Sequence, residues 1–317
     1  MHRIVLHQAG LLGGLLLFIL TACTAPQTRV LLEQSNTLPS QAFLSEVPFY
    51  PQEKYYCGPA SLAMMLSWAG IPASQEDISD LIYTPGREGT LPIDILSGSR
   101  RKGALAVEVN TLHDLFTEIA SGHPVLVFQN LGLKYFPLWH FAVVIGYDLT
   151  EREIILHSGL DSRRVTDLYA FERTWKRADY WAVTVTTPDR LPAAAKELSV
   201  LKAASGLEQA QQYEPAISAY HAIAGRWPQS IIAQIGLGNT YYELDRYSEA
   251  IVAFQKATQM DNSSAAAWNN LANALAAQGK YKDAIAAARK AVALSGAEDT
   301  IYQNTLDDIT SRQLNGY

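Results

Sequence analysis

Apolar residues follow different patterns in successive parts of the chain. An uninterrupted run of small or apolar side chains covers residues 9–22. Over residues 57–70, apolar side chains occupy both faces of a helical period, which predicts a buried helix. Further helices are expected at 74–83, 90–102 and 112–120, and strands at 105–109, 124–128, 140–148, 153–159 and 180–185.

This order of elements predicts the fold class of the first part of the chain. Helices come first and most of the strands follow, connected by short turns, as in an α+β domain with a mostly antiparallel sheet. The helix at 57–70 and the sheet would then lie on opposite sides of a cleft. A proline-containing segment at 187–195 follows the last strand and predicts a domain boundary, with a linker at 188–196.

Beyond that boundary, residue types recur with a period of 34. The recurring residues are Tyr213, Tyr247 and Tyr281, and Ala216, Ala250 and Ala284. This pattern resembles the tetratricopeptide repeat, which implies an all-α solenoid of three repeats over 197–298. Residues 299–317 would form a capping helix and tail. Such a solenoid either presents a concave face to a peptide or partner protein, or only supports the preceding domain.

The apolar run near the N-terminus is too short for a transmembrane helix and suits a signal peptide over 1–22. It ends in Leu20-Thr21-Ala22-Cys23, which resembles the bacterial lipobox. That resemblance implies that Cys23 is acylated and becomes the mature N-terminus, followed by a linker over 23–43. In lipoproteins an Asp in the next position is associated with retention in the inner membrane. Thr24 stands there instead, so the resemblance implies the periplasmic face of the outer membrane. A plain secretory signal with an incidental cysteine is the alternative.

Composition limits the classes of function. The chain has 317 residues, 48% of them hydrophobic and 18% charged, which is typical of globular protein and sufficient for two domains. Its formal net charge is -6, and no run of Lys or Arg offers a surface for phosphates. Nucleic acid is therefore not an expected partner.

Cys57 is the one cysteine that remains once Cys23 is assigned to the lipid anchor. A solitary thiol in an exported domain cannot form an intrachain disulfide, so a nucleophile is the leading interpretation. At the N-terminus of a helix, the helix dipole would stabilise its thiolate form. Gly58 would leave room beside the scissile bond, and Pro59 suits the first helical turn.

Three sequence features together carry a family resemblance. They are Gln52, the block Cys57-Gly58-Pro59-Ala60-Ser61-Leu62 and the block from His140 to Tyr147. They resemble the papain-like cysteine peptidases of the bacteriocin-processing, or double-glycine leader peptidase, family, which implies a papain-like domain over 44–187. The resemblance implies that Cys57 is the nucleophile, that His140 is the general base and that Gln52 contributes to the oxyanion hole. It implies no cofactor.

The residue that orients the histidine departs from the family pattern. The family has an Asp or Asn on the following strand, where the alternation of Ile154, Leu156 and Ser158 places Ser158 toward the cleft. Three interpretations remain open: Ser158 substitutes less efficiently, Asp161 takes the role, or the domain has lost full activity.

Other histidines are expected to be structural. His157 is predicted to lie on the sheet surface, and His113 and His123 to face solvent. A metal site formed by Cys57, His140 and His157 is disfavoured, because these three residues lack the close spacing of metal ligands.

The sequence thus predicts a lipid-anchored cysteine peptidase whose substrate is a peptide or protein and whose repeats bind a substrate or partner. The alternative is a scaffold lipoprotein with a degenerate peptidase fold. Transfer of the acyl group to an amine instead of water is also open. The chain lacks the membrane and ATPase parts of an exporter, so specificity for double-glycine leaders is not expected.

Overall fold

The structure is a computed structural model that describes residues 25–33, 37–51, 55–84, 86, 89–295 and 300–315. The predicted signal peptide, Cys23 and Gln52 lie outside these described residues. Within the described ranges, none of the helices combines the length and the apolar character needed to cross a membrane.

Helices and strands are mixed up to residue 186, and the described elements after it are helical. The first part contains α1 (Pro26–Glu33), β1 (Gln41–Phe43), α2 (Cys57–Trp68), α3 (Gln75–Ile82), α4 (Pro92–Arg101), β2 (Leu105–Val109), α5 (Leu112–Ala120), β3 (Val125–Asn130), β4 (Trp139–Asp148), β5 (Glu153–Ser158), β6 (Asp161–Asp167), α6 (Leu168–Lys176) and β7 (Ala182–Thr186). The second part contains α7 (Glu197–Gln209), α8 (Tyr213–Arg226), α9 (Ile231–Glu243), α10 (Tyr247–Met260), α11 (Ala265–Ala277), α12 (Tyr281–Ser295) and α13 (Thr300–Asn315).

The strands form one sheet in the order β2-β7-β3-β4-β5-β6, and β1 also pairs with β4. The pairs of β4 with β1, β3 and β5, of β3 with β7 and of β5 with β6 are all antiparallel. This sheet and its helices confirm the predicted α+β class. Strands β1 and β6 and helices α1 and α6 were not among the predicted elements. The segment Asp161–Asp167 of β6 is polar and exposed, so it lacks the apolar alternation that reveals a strand.

Contacts within the chain divide it into two compact units. Unit 1 comprises the described residues of Met1–Gly98, Glu108–Thr184 and Pro192–Ala194, and unit 2 those of Ser99–Val107, Val185–Leu191 and Ala195–Tyr317.

The core of unit 1 includes a helix that is apolar on every side. Residues Gly58 to Leu66 of α2 are all buried, as predicted from the pattern, and α2 packs against β4. On the other face of the sheet, the stacked rings of Phe116 and Tyr147 lie 4.2 Å apart. A buried carboxylate, Glu172, accepts hydrogen bonds from the amides of Gln27 (3.0 Å) and Thr28 (2.6 Å) at the start of α1. It thereby fixes α1 to this core.

Unit 2 contains the helical repeats, which confirm the predicted solenoid class. Its helices follow one another in antiparallel pairs at the predicted period, and small residues face large ones between them. A Cβ atom on Gly238 would lie 2.3 Å from the ring of Phe254, and one on Gly236 would lie 2.4 Å from the ring of Tyr220. The final helix, α13, packs against α12 and buries Ile309.

Candidate active site

The N-terminal turn of α2 surrounds the sulfur of Cys57 with amide groups. The first intrahelical hydrogen bond runs from the amide of Ala60 to the carbonyl of Tyr56 (3.0 Å), so the amides of Cys57 and Gly58 have no carbonyl partner in the helix. Both instead hydrogen-bond to the Cys57 sulfur. Pro59 has no amide hydrogen to place, as expected for the first turn.

A third amide reaches the sulfur from the sheet. The backbone of Phe141, on β4, hydrogen-bonds to Cys57. Because Phe141 directly follows His140, the start of β4 lies against the start of α2. The packing of α2 against β4 therefore brings the sequence block of the cysteine to that of the histidine.

His140 in turn contacts the following strand. Its Nε2 lies 2.9 Å from the Oγ of Ser158, at the end of β5, and Ser158 is buried. Asp161, the alternative orienting residue, pairs with Ser158 at the start of β6 and is exposed. The hydrogen-bond partner of the imidazole is thus Ser158, on the strand face that the alternation predicted.

Burial sets the protonation of both side chains. Burial raises the pKa of the Cys57 thiol, and the amides of Phe141, Gly58 and Cys57 offset only part of that effect. The amides at the start of the helix thus favour thiolate, as expected, but burial outweighs them. Burial, and secondarily the positive charge of Arg164, lower the pKa of His140 to about 4. The pair rests as neutral thiol and neutral imidazole at neutral pH.

Gly58 has a packing role. A Cβ atom at this position would lie 2.6 Å from the Cβ of Thr90, so the close approach of Thr90 requires glycine. From the sequence, glycine was expected here to leave room beside the scissile bond. The structure shows that it leaves room for Thr90.

The prediction that His157 lies on the sheet surface is wrong. His157 is 4% exposed, its Nε2 lies 3.1 Å from the carbonyl of Val47, and its ring centre lies 5.2 Å from that of Phe49. The segment that contains Val47 and Phe49 covers this face of β5, and no local sequence pattern predicts these contacts. Among the described residues, no group of three or more His, Cys, Asp and Glu side chains could hold a metal ion.

The prediction for His123 is also wrong, whereas the side chain of His113 is half exposed as expected. His123 is buried, and its Nδ1 lies 2.7 Å from the buried carboxylate of Glu118. Glu118 also accepts hydrogen bonds from the amides of Ala193 and Ala194. A buried carboxylate needs hydrogen-bond partners, and the buried His123 is one of the partners of Glu118.

Two site groups were missed by sequence reasoning. The Phe141 contact uses a backbone amide, which every residue type except proline possesses, so no sequence signal marks it. Arg164 lies on β6, a strand that the apolar pattern did not reveal.

Known families match both parts of the chain. Residues 44–183 match the Peptidase_C39 like family. Residues 238–279 match the TPR repeat, and residues 265–297 match the tetratricopeptide repeat. Among curated proteins, none matches this chain at a significant level.

Solved structures resemble each part separately. A C39-like peptidase from Bacillus anthracis is 20% identical over 47% of this chain and 98% of its own, with a TM-score of 0.41. The peptidase domain of Streptococcus ComA, a bifunctional ABC transporter of a quorum-sensing pathway, is 21% identical over 44% and 98%, with a TM-score of 0.37. The TPR2B domain of yeast Sti1, in complex with an Hsp70 peptide, is 16% identical over 38% and 98%, with a TM-score of 0.36.

At these TM-scores the structural likenesses carry no argument about function. The family matches, the α+β fold and the helical repeats agree with one another. The chain carries a Peptidase_C39-like domain followed by tetratricopeptide repeats.

Proposed function

We propose that unit 1 is a cysteine peptidase in which Cys57 is the nucleophile, His140 is the general base and Ser158 orients the imidazole. Two contacts carry this proposal. The backbone of Phe141, the residue after His140 on β4, hydrogen-bonds to Cys57, and Nε2 of His140 lies 2.9 Å from Oγ of Ser158. A nucleophile, a base and an orienting group connected in this way are the parts that thiol hydrolysis requires.

The hydrogen bond to Ser158 selects the nitrogen that does the chemistry. When Nε2–H donates to Ser158 Oγ, the lone pair of His140 is on Nδ1. Nδ1 accepts the proton of the Cys57 thiol while the sulfur attacks the substrate carbonyl carbon. The tetrahedral intermediate then expels the amine, which takes that proton from His140, and a thioester remains on Cys57. Water attacks the thioester, His140 accepts a proton from the water and returns it to the sulfur, and a carboxylic acid product leaves.

The neutral resting pair decides when the proton moves. Because the pKa of Cys57 is raised and that of His140 is lowered, a separated thiolate and imidazolium is not the resting state. We propose that proton transfer accompanies the attack on the carbonyl. Once negative charge has formed, the helix amides of Cys57 and Gly58 support it, and Gln52 is the proposed side-chain donor to the oxyanion.

Comparison of protein termini tests the peptidase proposal and identifies the substrate. Cell-envelope proteins from cells that carry the parent chain are compared with those from cells that carry Cys57→Ala. Termini that depend on the thiol support proteolysis. Identical termini at equal expression of the two chains contradict it. Products with an amine joined to the new carboxyl end instead identify acyl transfer.

A peptide-binding scaffold is the second candidate function. Ser158 favours it, because a hydroxyl stabilises an imidazolium less than a carboxylate does. The scaffold candidate predicts that Cys57→Ala binds the same partners as the parent and changes no terminus.

We further propose that the repeats hold a basic segment of a substrate or partner protein. A cavity of about 560 Å³ in unit 2 lies between α7, α8 and α9, and its lining includes Glu208, Tyr220, Asn239 and Glu243. The hydroxyl of Tyr220 donates to Glu208 (3.0 Å), and burial raises the pKa of Glu208. A cationic side chain placed there would neutralise both carboxylates. Titration with a Lys/Arg-containing peptide should give binding that Glu243→Lys abolishes and Glu151→Lys, in unit 1, leaves unchanged.

Lipid anchoring at Cys23 and a location on the periplasmic face of the outer membrane are also proposals, supported by the lipobox-like sequence. Metabolic labelling with an alkynyl fatty acid tests the anchor. The parent chain should be labelled and Cys23→Ser should not; label that persists in Cys23→Ser contradicts this site. Membrane fractionation of the labelled chain tests the location.

A further inference from the structure

The connection between β3 and β4 presents an exposed apolar surface. Here the hairpin tip is defined as residues 131–138, together with Trp139, the first residue of β4. Its apolar side chains are exposed to an extent unusual for their size: Leu133 69%, Tyr135 84%, Phe136 78%, Leu138 61% and Trp139 50%. Contiguous exposed apolar side chains of this size mark an interaction surface.

The hairpin tip is held in this form by its own hydrogen bonds. The buried Asn130 accepts from the amides of Gly132 and Leu138, each at 3.0 Å. Leu133 and Phe136 exchange two backbone hydrogen bonds, of 3.1 and 3.2 Å. A Cβ atom on Gly132 would lie 2.3 Å from the Phe136 carbonyl oxygen, so the backbone is closely folded there. The backbone thus satisfies its own polar groups while the apolar side chains remain outside.

The hairpin tip itself carries one charged residue, and it is positive, although the whole chain carries a formal charge of -6. Residues 129–147 contain no Asp or Glu, and Lys134 lies within the tip. At its base, the exposed Arg177 donates from Nε to the carbonyl oxygen of Asn130 (3.1 Å). An apolar tip with cationic groups in it and at its base is complementary to a bilayer whose surface is anionic.

The aromatic residues at the base fit the same partner. Trp139 stacks on Phe128 with ring centres 5.0 Å apart and is half exposed. Tryptophan and tyrosine favour the boundary between headgroups and acyl chains, because their rings are apolar and each carries one polar group. Exposed apolar side chains on a hairpin tip suit a lipid surface, whereas a peptide ligand would need a groove to bury its backbone.

We propose that the hairpin tip inserts into the surface of an anionic phospholipid bilayer, with Leu133, Phe136 and Leu138 among the acyl chains and Lys134 and Arg177 at the headgroups. His140 directly follows Trp139 on β4. Insertion would therefore hold the candidate active site against the membrane surface. This proposal requires neither catalysis nor acylation of Cys23.

Quenching of Trp139 by brominated acyl chains tests this proposal in the full chain. The chain is bound to vesicles of phosphatidylethanolamine and phosphatidylglycerol, with and without brominated phosphatidylglycerol. The emission of Trp139 is obtained as the difference between the parent and Trp139→Phe. We expect quenching of this emission in the parent, and its loss in Leu133→Ser/Phe136→Ser. Because the two substitutions remove apolar area, the partition coefficient of the hairpin tip from water into the bilayer should fall by more than about tenfold.

Matched variants separate insertion from other effects. Leu198→Ser removes a side chain that is 75% exposed in unit 2, and it should leave the quenching unchanged. Lys134→Glu keeps the apolar residues and should weaken quenching on anionic vesicles more than on phosphatidylcholine vesicles. Circular dichroism of each variant checks that the fold is intact. Unquenched Trp139 on a vesicle-bound parent chain would overturn the proposal. A Trp139 emission that changes with protein concentration and not with the vesicles would show self-association of the hairpin tip. That result would overturn the proposal as well.

Discussion

Nε2 of His140 lies 2.9 Å from Oγ of Ser158, a residue 18 positions later on the next strand. This hydrogen bond leaves Nδ1 of the imidazole available for the thiol. It is also the point at which the chain departs from the Asp or Asn of the family that it resembles. Substitutions of Ser158 therefore act on the imidazole directly.

Replacement of Ser158 should change turnover more than binding. In Ser158→Ala the imidazole loses its hydrogen-bond partner, so kcat should fall by about tenfold or more with little change in KM. In Ser158→Asp the carboxylate stabilises imidazolium and raises the pKa of His140. Alkylation of Cys57 by iodoacetamide at pH 6 should then be faster than in the parent. Equal alkylation rates in Ser158→Asp and the parent would show that position 158 does not control the imidazole.

Activity should persist to unusually acidic pH for a histidine-dependent hydrolase. The pKa of His140 is lowered to about 4, so the base stays neutral until the pH approaches that value. Burial and, to a smaller extent, the positive charge of Arg164 lower this pKa. Arg164→Gln removes that charge and should therefore move the acidic limb of the kcat/KM profile to higher pH. Arg163→Gln, at the adjacent position, is the matched control and should leave the limb in place. An acidic limb near 6.5 in the parent would contradict the burial argument.

The same shift links pH to stability. Because the folded-state pKa of His140 lies below its ordinary value of 6.5, the unfolded chain binds this proton more tightly. The contribution of His140 to the free energy of unfolding is therefore present above 6.5 and is lost as the pH falls toward about 4.

The buried Glu172 should contribute measurably to the stability of unit 1. Its carboxylate accepts from the amides of Gln27 and Thr28 and from the hydroxyl of Tyr180 (3.1 Å). Burial, and secondarily the charge of Glu172, raise the pKa of Tyr180 to about 12. Glu172→Gln removes the charge from these hydrogen bonds, at a cost of about 2 kcal/mol in the free energy of unfolding by urea. The exposed Glu151→Gln should cost almost nothing. Equal midpoints for the two variants would mean that α1 is not held by Glu172.

Glycines in the repeats should respond to alanine in opposite directions. Gly238→Ala places a methyl group against the ring of Phe254 and should destabilise unit 2 by about 1–3 kcal/mol. Gly225→Ala, in α8, meets no atom within 4 Å and should be neutral or stabilising, because alanine favours the helix. Thermal unfolding of both variants checks this contrast. A loss of stability in both would show that helix packing is not what requires glycine at 238.

Local patterns in the sequence predicted much of the fold. Apolar side chains occupy both faces of the helical period after Cys57, so the buried helix was evident, and the helix predicted from residue 74 begins with a capping box between Ser74 and Asp77. The period of 34 revealed the repeats because each helix pair depends on the same small and large residues. Strand β6 was missed because its exposed, polar residues carry no alternating signal.

The features of the candidate site that depend on residue type were predicted from the sequence. The features that depend on the tertiary environment were missed. The family resemblance implied the roles of Cys57 and His140 and the position of Ser158 as the orienting residue, and these roles remain predictions. Burial then reversed the expected direction of the Cys57 pKa, and a distant loop enclosed His157. The solvent exposure of a thiol or an imidazole leaves no local pattern in a single sequence. The burial of Cys57 and His157 is therefore evident only in the folded structure.

Hydrolysis of a mixed peptide library by the purified chain tests the central claim most directly. The new termini are counted by mass spectrometry for the parent, Cys57→Ala and His140→Ala. We expect cleavage by the parent, together with a thioester adduct on Cys57 in samples quenched by acid, and neither product in the two variants. Cleavage by Cys57→Ala equal to that of the parent would contradict the account.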